Sequence, residues 1–597
     1  MQNIPSRIAS LRASMKAAGV QAYIIPSADP HLSEYPPTHW RTRTYFSGFT
    51  GSAGTLVVTG TKSGLWTDGR YFIQAENELK GSGIELYRMA VKGVPTYPEF
   101  VQAELKKGDT VAFDGSLFSE ESVRKMKDLF DEKGIVIRQA DFVSDIWTAD
   151  RPAIPHTQVF LHDVTYAGLS CAQKIDLVRQ ELKKQKADCQ IYSLLDGVAW
   201  LTNLRADDVA DCPFALAYAA VFPDAAYLFI DTTRVPAEAA ASMKQNGVTV
   251  MDYGGLPEFI RSIGKKTVAL ADPAGTSFAI YSALEQNPNV TVKDGPDIVN
   301  DLKSIKNKTE IKGIRAAHVR DGCAMVEAYT ELEHRMNAGE TVTECTVCEL
   351  LEQARARQEG NHGLSFGTIA AYRENAAMMH YAPKPGACSK LEANSFLLVD
   401  SGGQYPDGTT DITRTYALGP VTKEEKEAYT WVLKSHIALA TAVFLEGCTG
   451  GNIDIICREP LWKHGIDYRC GTGHGVGMFG TVHEGPQSLR WTNKVVFHKG
   501  MTMTNEPGVY EGGKFGIRTE NLMLVTEAFE NEYGNFLKFE TVTLFPIDTV
   551  PVLPELLTAD ELKWLNDYNH HVYETLAPFF SGAQLDWLKR HTEPLNK

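Results

Sequence analysis

Between Phe396 and Asn521 the chain carries five side chains suited to holding metal: Asp400 in LLVDSGG, Asp411 in TTDITRT, His474 in GTGHGVG, Glu506 in TNEPG and Glu520 in IRTEN. Four are carboxylates and one is an imidazole, spread over about 120 residues, and most sit in apolar, strand-like or glycine-rich surroundings. At an effective dielectric of about 20, two carboxylates roughly 4 Å apart repel by about 4 kcal/mol. A fold that gathers four of them gathers them around cations. A solvated turn or a capped strand end explains any one of these acids alone. It does not explain the set, because an Asp after FLLV and a Glu before NLMLV are not surface placements.

The spacing pairs the acids. Asp400 ends the apolar run NSFLLVD and Asp411 begins DITRTYAL, with the turn signal Asp407-Gly408 between them. A hairpin there puts both aspartates on neighbouring strands. MTMTNEPGVY and FGIRTENLMLV flank the turn EGGK, and a hairpin symmetric about Gly513 sets Glu506 opposite Glu520. Each hairpin has an arginine near its second acid, Arg414 and Arg518. Two such hairpins predict a pseudo-symmetric domain with metal between its halves. Four carboxylates and a neutral imidazole carry a charge of about −4, which two divalent cations balance. Oxygen ligands with one nitrogen favour Mn2+ or a similar ion over a thiolate-type zinc site. Two metals bridged by carboxylates can hold a hydroxide, polarise a carbonyl and anchor an amine, which is the logic of two-metal aminopeptidases.

The rest of the chain reads as α/β, mixed with α+β. Its 597 residues suit several domains. Residues 4–25 predict an amphipathic helix (Ile8, Leu11, Met15) and a strand. HWRTRTYFSGFTGSAGTLVVTG and GLWTDGRYFIQA read as two strand regions with glycine-rich turns. The pattern restarts at SCAQKIDLVRQELKKQKADCQIYSLLDG, and FALAYAAVF and AAYLFIDTTRV parallel TLVVTG and GLWTDGRYF. Residues 1–153 and 154–306 are therefore expected as two copies of one α/β unit, with TADRPAIPH as the linker. A third region, 307–597, opens on a long helix with a polar approach, KNKTEIKGIRAAHVRDGCAMVEAYTELEHRM. It closes on an extension, about 545–597, with a helical, aromatic-rich tail.

Several function classes drop out. A net charge of −15 excludes the basic footprint of a nucleic-acid binder and does not favour an anionic membrane. No apolar run approaches a membrane span, and the N-terminus reads as a first helix and strand rather than a leader. Ten scattered cysteines fit a reducing compartment. Cys345 and Cys348 form a CxxC inside a helical run, which reads as structural. GLSFG around Ser365 lacks the strand–turn–helix context of a nucleophile elbow. His483-Glu484 is not a zincin motif, because position 487 is Gln.

The ordered set Asp400, Asp411, His474, Glu506, Glu520, with NAAMMHYAP, VDSGGQYPDGTTDITRT, GTGHGVG, VHEGP, TNEPGVYE and FGIRTEN, strongly resembles the creatinase/aminopeptidase P/methionine aminopeptidase family of "pita-bread" metallopeptidases. Nearly the whole chain resembles the three-domain members. The resemblance implies two tandem creatinase-like domains followed by a pita-bread catalytic domain. It implies two divalent ions, Mn2+ foremost with Co2+ or Zn2+ possible. Asp411 and Glu520 would bridge both ions, Asp400 would bind one, and His474 and Glu506 the other. His380 and His483 match the family's non-ligand active-site histidines, and Glu506 is the expected proton shuttle. The implied reaction removes the first residue from peptides with proline second. The enzyme is expected as a cytoplasmic homodimer with no nucleic-acid or membrane partner. The alternatives are a prolidase acting on Xaa-Pro dipeptides, or a weakly active or non-catalytic peptide-binding relative. The last arises because Cys470 stands four residues before His474, where the family usually has histidine. Cys470, Arg518 and Arg70 are candidates for the substrate pocket. The aromatic tail and Trp462 are open to two readings, dimer contact or core packing.

Overall fold

The computed structural model describes residues 3–596. The chain divides into two units, Met1–His162 with Leu169–Asp301, and Asp163–Gly168 with Leu302–Lys597.

The first unit holds two six-stranded sheets of one design. In the first, the strands run Glu85–Arg88, Ser63–Thr67, Thr55–Thr59, Ala22–Ile25, Thr110–Phe113 and Val136–Gln139 across the sheet. In the second, they run Val248–Met251, Ala226–Ile230, Ala217–Val221, Cys189–Tyr192, Thr267–Ala271 and Val290–Asp294. Both sheets show the same succession of pairings: parallel, antiparallel, antiparallel, parallel, parallel. Central strands such as Ala22–Ile25 and Ala217–Val221 are buried along their whole length, as sheets covered by helices on both faces require.

Two details differ from the sequence reading. Thr42–Ser47 and Phe72–Glu78 are helices, not strands. Gly48 at φ +74° ends the first as a left-handed cap, and Ala75 and Leu79 bury one face of the second at i, i+4 spacing. The two copies also share one core, in which Trp40, Phe113 and Phe118 pack with Leu195, Val209 and Phe214. The backbone amides of Glu120 and Phe278 cross between them, to Thr276 and Phe118. TADRPAIPH contains no helix or strand.

The second unit repeats a motif of two helices followed by paired strands. Its first half has Lys308–Asn337, Glu344–Ala356 and the antiparallel strands Ile369–Tyr372, Phe396–Ser401 and Ile412–Ala417. Its second half has Lys423–Ala440, Gly450–Trp462 and a sheet of Val443–Leu445, Gly534–Thr541, Asn521–Asn531 and Thr502–Asn505. Capping boxes start the long helices, Asn307 with Glu310 and Thr422 with Glu425. The tail helices Ala559–Leu576 and Gly582–His591 bury Leu565, Tyr568, Val572, Leu576, Trp587 and Leu588 in the main core. These tail residues pack in the core, while Phe579 of the same tail is 62% exposed and Trp462 38%. Ser365 of the GLSFG decoy is buried and donates its hydroxyl to the Thr410 carbonyl.

Candidate active site

Phe396–Ser401 pairs with Ile412–Ala417 in a register that sets Asp400 opposite Thr413 and puts Asp411 at the start of the partner strand. In the second hairpin Asn505 faces Asn521 and Gly508 faces Arg518. Both pairs are symmetric about Gly513, so Glu506 and Glu520 stand opposite each other between the two ladders. His474 sits in the short strand Gly473–Gly475, whose backbone runs tight against the 502–505 strand. A Cβ on Gly473 would lie 2.0 Å from the Thr504 carbonyl oxygen, so only glycine permits this approach.

These segments bring the predicted ligands together. One ligand atom each of Asp411, His474 and Glu520 lies within 4.8 Å of the others. His474 Nε2 is 3.5 Å from Asp411 Oδ2 and 3.4 Å from Glu506 Oε1. Burial, with the charges of Asp400 and Glu506, pushes the Asp411 carboxyl well above the usual range; His483 and Arg518 oppose this. Burial and the charges of Asp411, Glu506 and Asp400 do the same to Glu520. Glu506 is also raised, by burial first, against the pull of Arg518.

The residues fit divalent metal. The His474 Nδ1–H donates to the Gly475 carbonyl at 2.9 Å, so Nε2 carries the ring's lone pair. That lone pair faces two carboxylate oxygens, an arrangement of acceptors that a cation satisfies. Asp400 Oδ1 is buried with no hydrogen-bond donor, which leaves it a coordinating position.

Neighbouring side chains fix the ligands. Thr413 Oγ1 donates to Glu520 Oε2 at 2.7 Å, and Thr504 Oγ1 donates to Glu506 Oε1 at 3.3 Å. Both threonines lie two residues from a ligand on a strand, TTDIT and MTNEP, a same-face spacing that the sequence reading passed over. The Arg414 guanidinium holds the Glu520 carbonyl from behind and reaches Phe545 O, Pro546 O and the Tyr568 hydroxyl.

The other candidates separate. The His483 ring meets His474 edge-on, with centroids 4.3 Å apart. His380 follows the 3-10 turn Arg373–Ala377, which packs on the Phe515–Arg518 strand. Cys470 is half-buried, and its carbonyl accepts from Arg458 Nη2 at 2.7 Å. Arg518 is 3% exposed, with its guanidinium bonded to Asp400 Oδ2 at 2.5 Å, the Tyr510 hydroxyl and Thr413 Oγ1. It is an internal counter-charge beside Asp400. Arg70 lies in the first unit, where it grips Asp68 through two hydrogen bonds.

Residues 312–527 match Metallopeptidase family M24, residues 7–142 and 150–310 each match the Creatinase/Prolidase N-terminal domain, and residues 535–595 match the C-terminal region of peptidase M24. A "Probable Xaa-Pro aminopeptidase P" from Laccaria bicolor is 40% identical over 99% of this chain and 94% of its own length. The chain belongs to the Xaa-Pro aminopeptidase P family. Another relative, "Aminopeptidase P2" of Arabidopsis thaliana, is 38% identical over 100% of this chain and 89% of its own. The crystal structure of X-prolyl aminopeptidase from Caenorhabditis elegans, described as a cytosolic enzyme with a di-nuclear active site, superposes with a TM-score of 0.95 at 33% identity, covering 100% of both chains. The prolidase from Pyrococcus horikoshii OT3, at 23% identity and a TM-score of 0.50, covers 63% of this chain and shares the fold. The two matches to the N-terminal domain fall on the doubled six-stranded sheets. Among the described residues, no helix is long and apolar enough to cross a membrane.

Proposed function

We propose that this chain is a metal-dependent aminopeptidase that removes the first residue from peptides with proline in the second position. The observation that carries this reading is the ligand set Asp400, Asp411, His474, Glu506 and Glu520, intact in a chain that matches aminopeptidase P over its whole length. Asp400, Asp411, His474, Glu506 and Glu520 would hold two divalent ions, and Mn2+ suits this donor set best. When bound, such ions lower the pKa of water and polarise the scissile carbonyl.

The chain's own groups do the rest. Arg518 holds Asp400 in place beside the position of the substrate's free amine. Glu506, anchored by Thr504, carries the proton from the attacking water to the proline nitrogen as the bond breaks. His483 and His380 donate to the oxygen that gains charge at the carbonyl. Cys470 lines the substrate side; its thiol is a weaker donor than the imidazole usual at that position. The three domains are 1–153, 154–306 and 307–597, and the enzyme works as a cytoplasmic homodimer.

Activity on an Xaa-Pro-Xaa peptide vanishes with a chelator and returns with Mn2+; chelator-resistant cleavage would refute the reading. An Xaa-Pro dipeptide is a poorer substrate than the longer peptide. The reverse preference would make the enzyme a prolidase, and metal binding without turnover would make it a binding protein.

A further inference from the structure

Glu344 opens the Glu344–Ala356 helix and is fully buried. Hydrogen bonds from one stretch of chain, residues 372–389, satisfy its carboxylate. Oε1 accepts from the Tyr372 amide at 2.7 Å and from Asn375 Nδ2 at 2.9 Å. Oε2 accepts from the Tyr381 hydroxyl at 2.8 Å and from the Ser389 amide at 2.7 Å. The Glu344 amide returns a bond to the Ser389 carbonyl at 3.1 Å.

The order of these donors matters. Both donors to Oε1 precede His380 in the chain, and both donors to Oε2 follow it. One carboxylate therefore staples the two flanks of His380 together. The stretch has little regular structure of its own to do this. After Tyr372 it contains the 3-10 turn Arg373–Ala377, with Arg373 at φ +53°, and then turns and irregular backbone as far as Ser389. Its opposite side rests on the Phe515–Arg518 strand, where a Cβ on Gly516 would lie 1.8 Å from the Ala376 carbonyl oxygen. That strand ends in Arg518, which grips Asp400. The His380 segment is thus held between Glu344 and the strand that also organises the ligands.

We infer that Glu344 is a positioning residue for His380, setting where that imidazole meets the substrate. An acid at the first position of a helix also stabilises the helix, which accounts for Glu344 as a helix residue. It does not account for four donors drawn from the two flanks of one histidine. The inference rests on the reading that His380 assists the reacting carbonyl. Glu344 itself touches neither substrate nor metal ligand.

The test is a double-mutant cycle on the full-length, Mn2+-loaded enzyme with an Xaa-Pro-Xaa peptide. Glu344→Gln keeps the shape but turns an amide toward two of the donors. It is expected to lower kcat/KM about 10- to 100-fold, with metal content unchanged. His380→Ala is expected to lower it at least as much, and adding Glu344→Gln to His380→Ala is expected to cost nothing further. If the two losses multiply, or if Glu344→Gln sheds metal, Glu344 is a structural residue and the inference is overturned. If His380→Ala alone works at the wild-type rate, the reading of His380 has failed and the inference falls with it. Should Glu344→Gln not fold, Tyr381→Phe removes one donor and keeps the ring. Its smaller loss must likewise disappear in the His380→Ala background.

Discussion

His436 lies fully buried behind the second hairpin. Its Nδ1–H donates to the Asn505 carbonyl at 3.1 Å, and its Nε2 accepts from Asn521 Nδ2 at 3.0 Å, so the folded ring is neutral. Burial first, then the Arg414 charge, hold its pKa down to about 3. An unfolded chain protonates this group near 6.5. The folded pKa is the lower one, so the contribution is complete above the unfolded value and is lost as pH falls toward 3. The loss is up to about 1.4 kcal/mol per pH unit. His436→Gln removes this titration and lowers the melting temperature at pH 7, and the gap to wild type narrows by pH 5; a gap that stays constant would contradict the assignment. Thr413→Val keeps the shape of the side chain but deletes the bond to Glu520. It is expected to weaken metal binding roughly 10- to 100-fold in a chelator competition, with little change in melting temperature. Such residues differ in how legible they are. Asp400 shows itself because an acid after FLLV conflicts with its neighbours. His436 shows nothing, because its partners lie 69 and 85 residues away along the chain. Arg518 was visible but its bond to Asp400 was not, since that partner lies 118 residues away along the chain.

At the scale of elements, the hairpins were the most readable part of the chain. EGGK fixes a turn, and the apolar runs on either side fix a two-residue period, so the register about Gly513 follows from local chemistry. The same reasoning fails for Thr42–Ser47, where a six-residue helix forms because Phe46 and Arg43 find buried partners and Gly48 caps it. The segment 372–389 was also opaque: four of its groups bond to Glu344, which precedes it by a whole helix. The glycine-rich strand makes its own prediction. Gly473→Ala cannot be accommodated without moving Thr504 or His474, since the obstacle is backbone. The variant should bind fewer than two ions per chain by elemental analysis and lose peptidase activity. Full metal content with normal turnover would show that the strands have slack.

At the scale of the whole molecule, the repeat in residues 1–306 was legible, while the merging of its two copies into one unit was not. The merging depends on Trp40, Phe113 and Phe118 meeting Leu195, Val209 and Phe214, contacts that no local pattern announces. The proposed homodimer belongs to this scale too. Ile455 and Trp462 lie two turns apart on the exposed side of Gly450–Trp462, and Trp491 is 67% exposed. Wild-type protein should sediment at twice the 65.9 kDa chain mass, and Trp462→Glu should shift it toward the single chain. A wild-type monomer at micromolar concentration would refute the dimer. The Arg414 clamp carries a consequence of its own. Asp400 through Glu520 leave the ribosome before Phe545, Pro546 and Tyr568, yet those three supply acceptors that fix the guanidinium behind Glu520. Until they arrive, the guanidinium has only the Thr413 and Glu520 carbonyls and Asn521 Oδ1 as acceptors, and the backing of Glu520 is incomplete. Metal capture is therefore expected late in biogenesis, after the Ala559–Leu576 helix has been synthesised and docked: a chain truncated before Phe545 should not retain metal, and full retention would refute this.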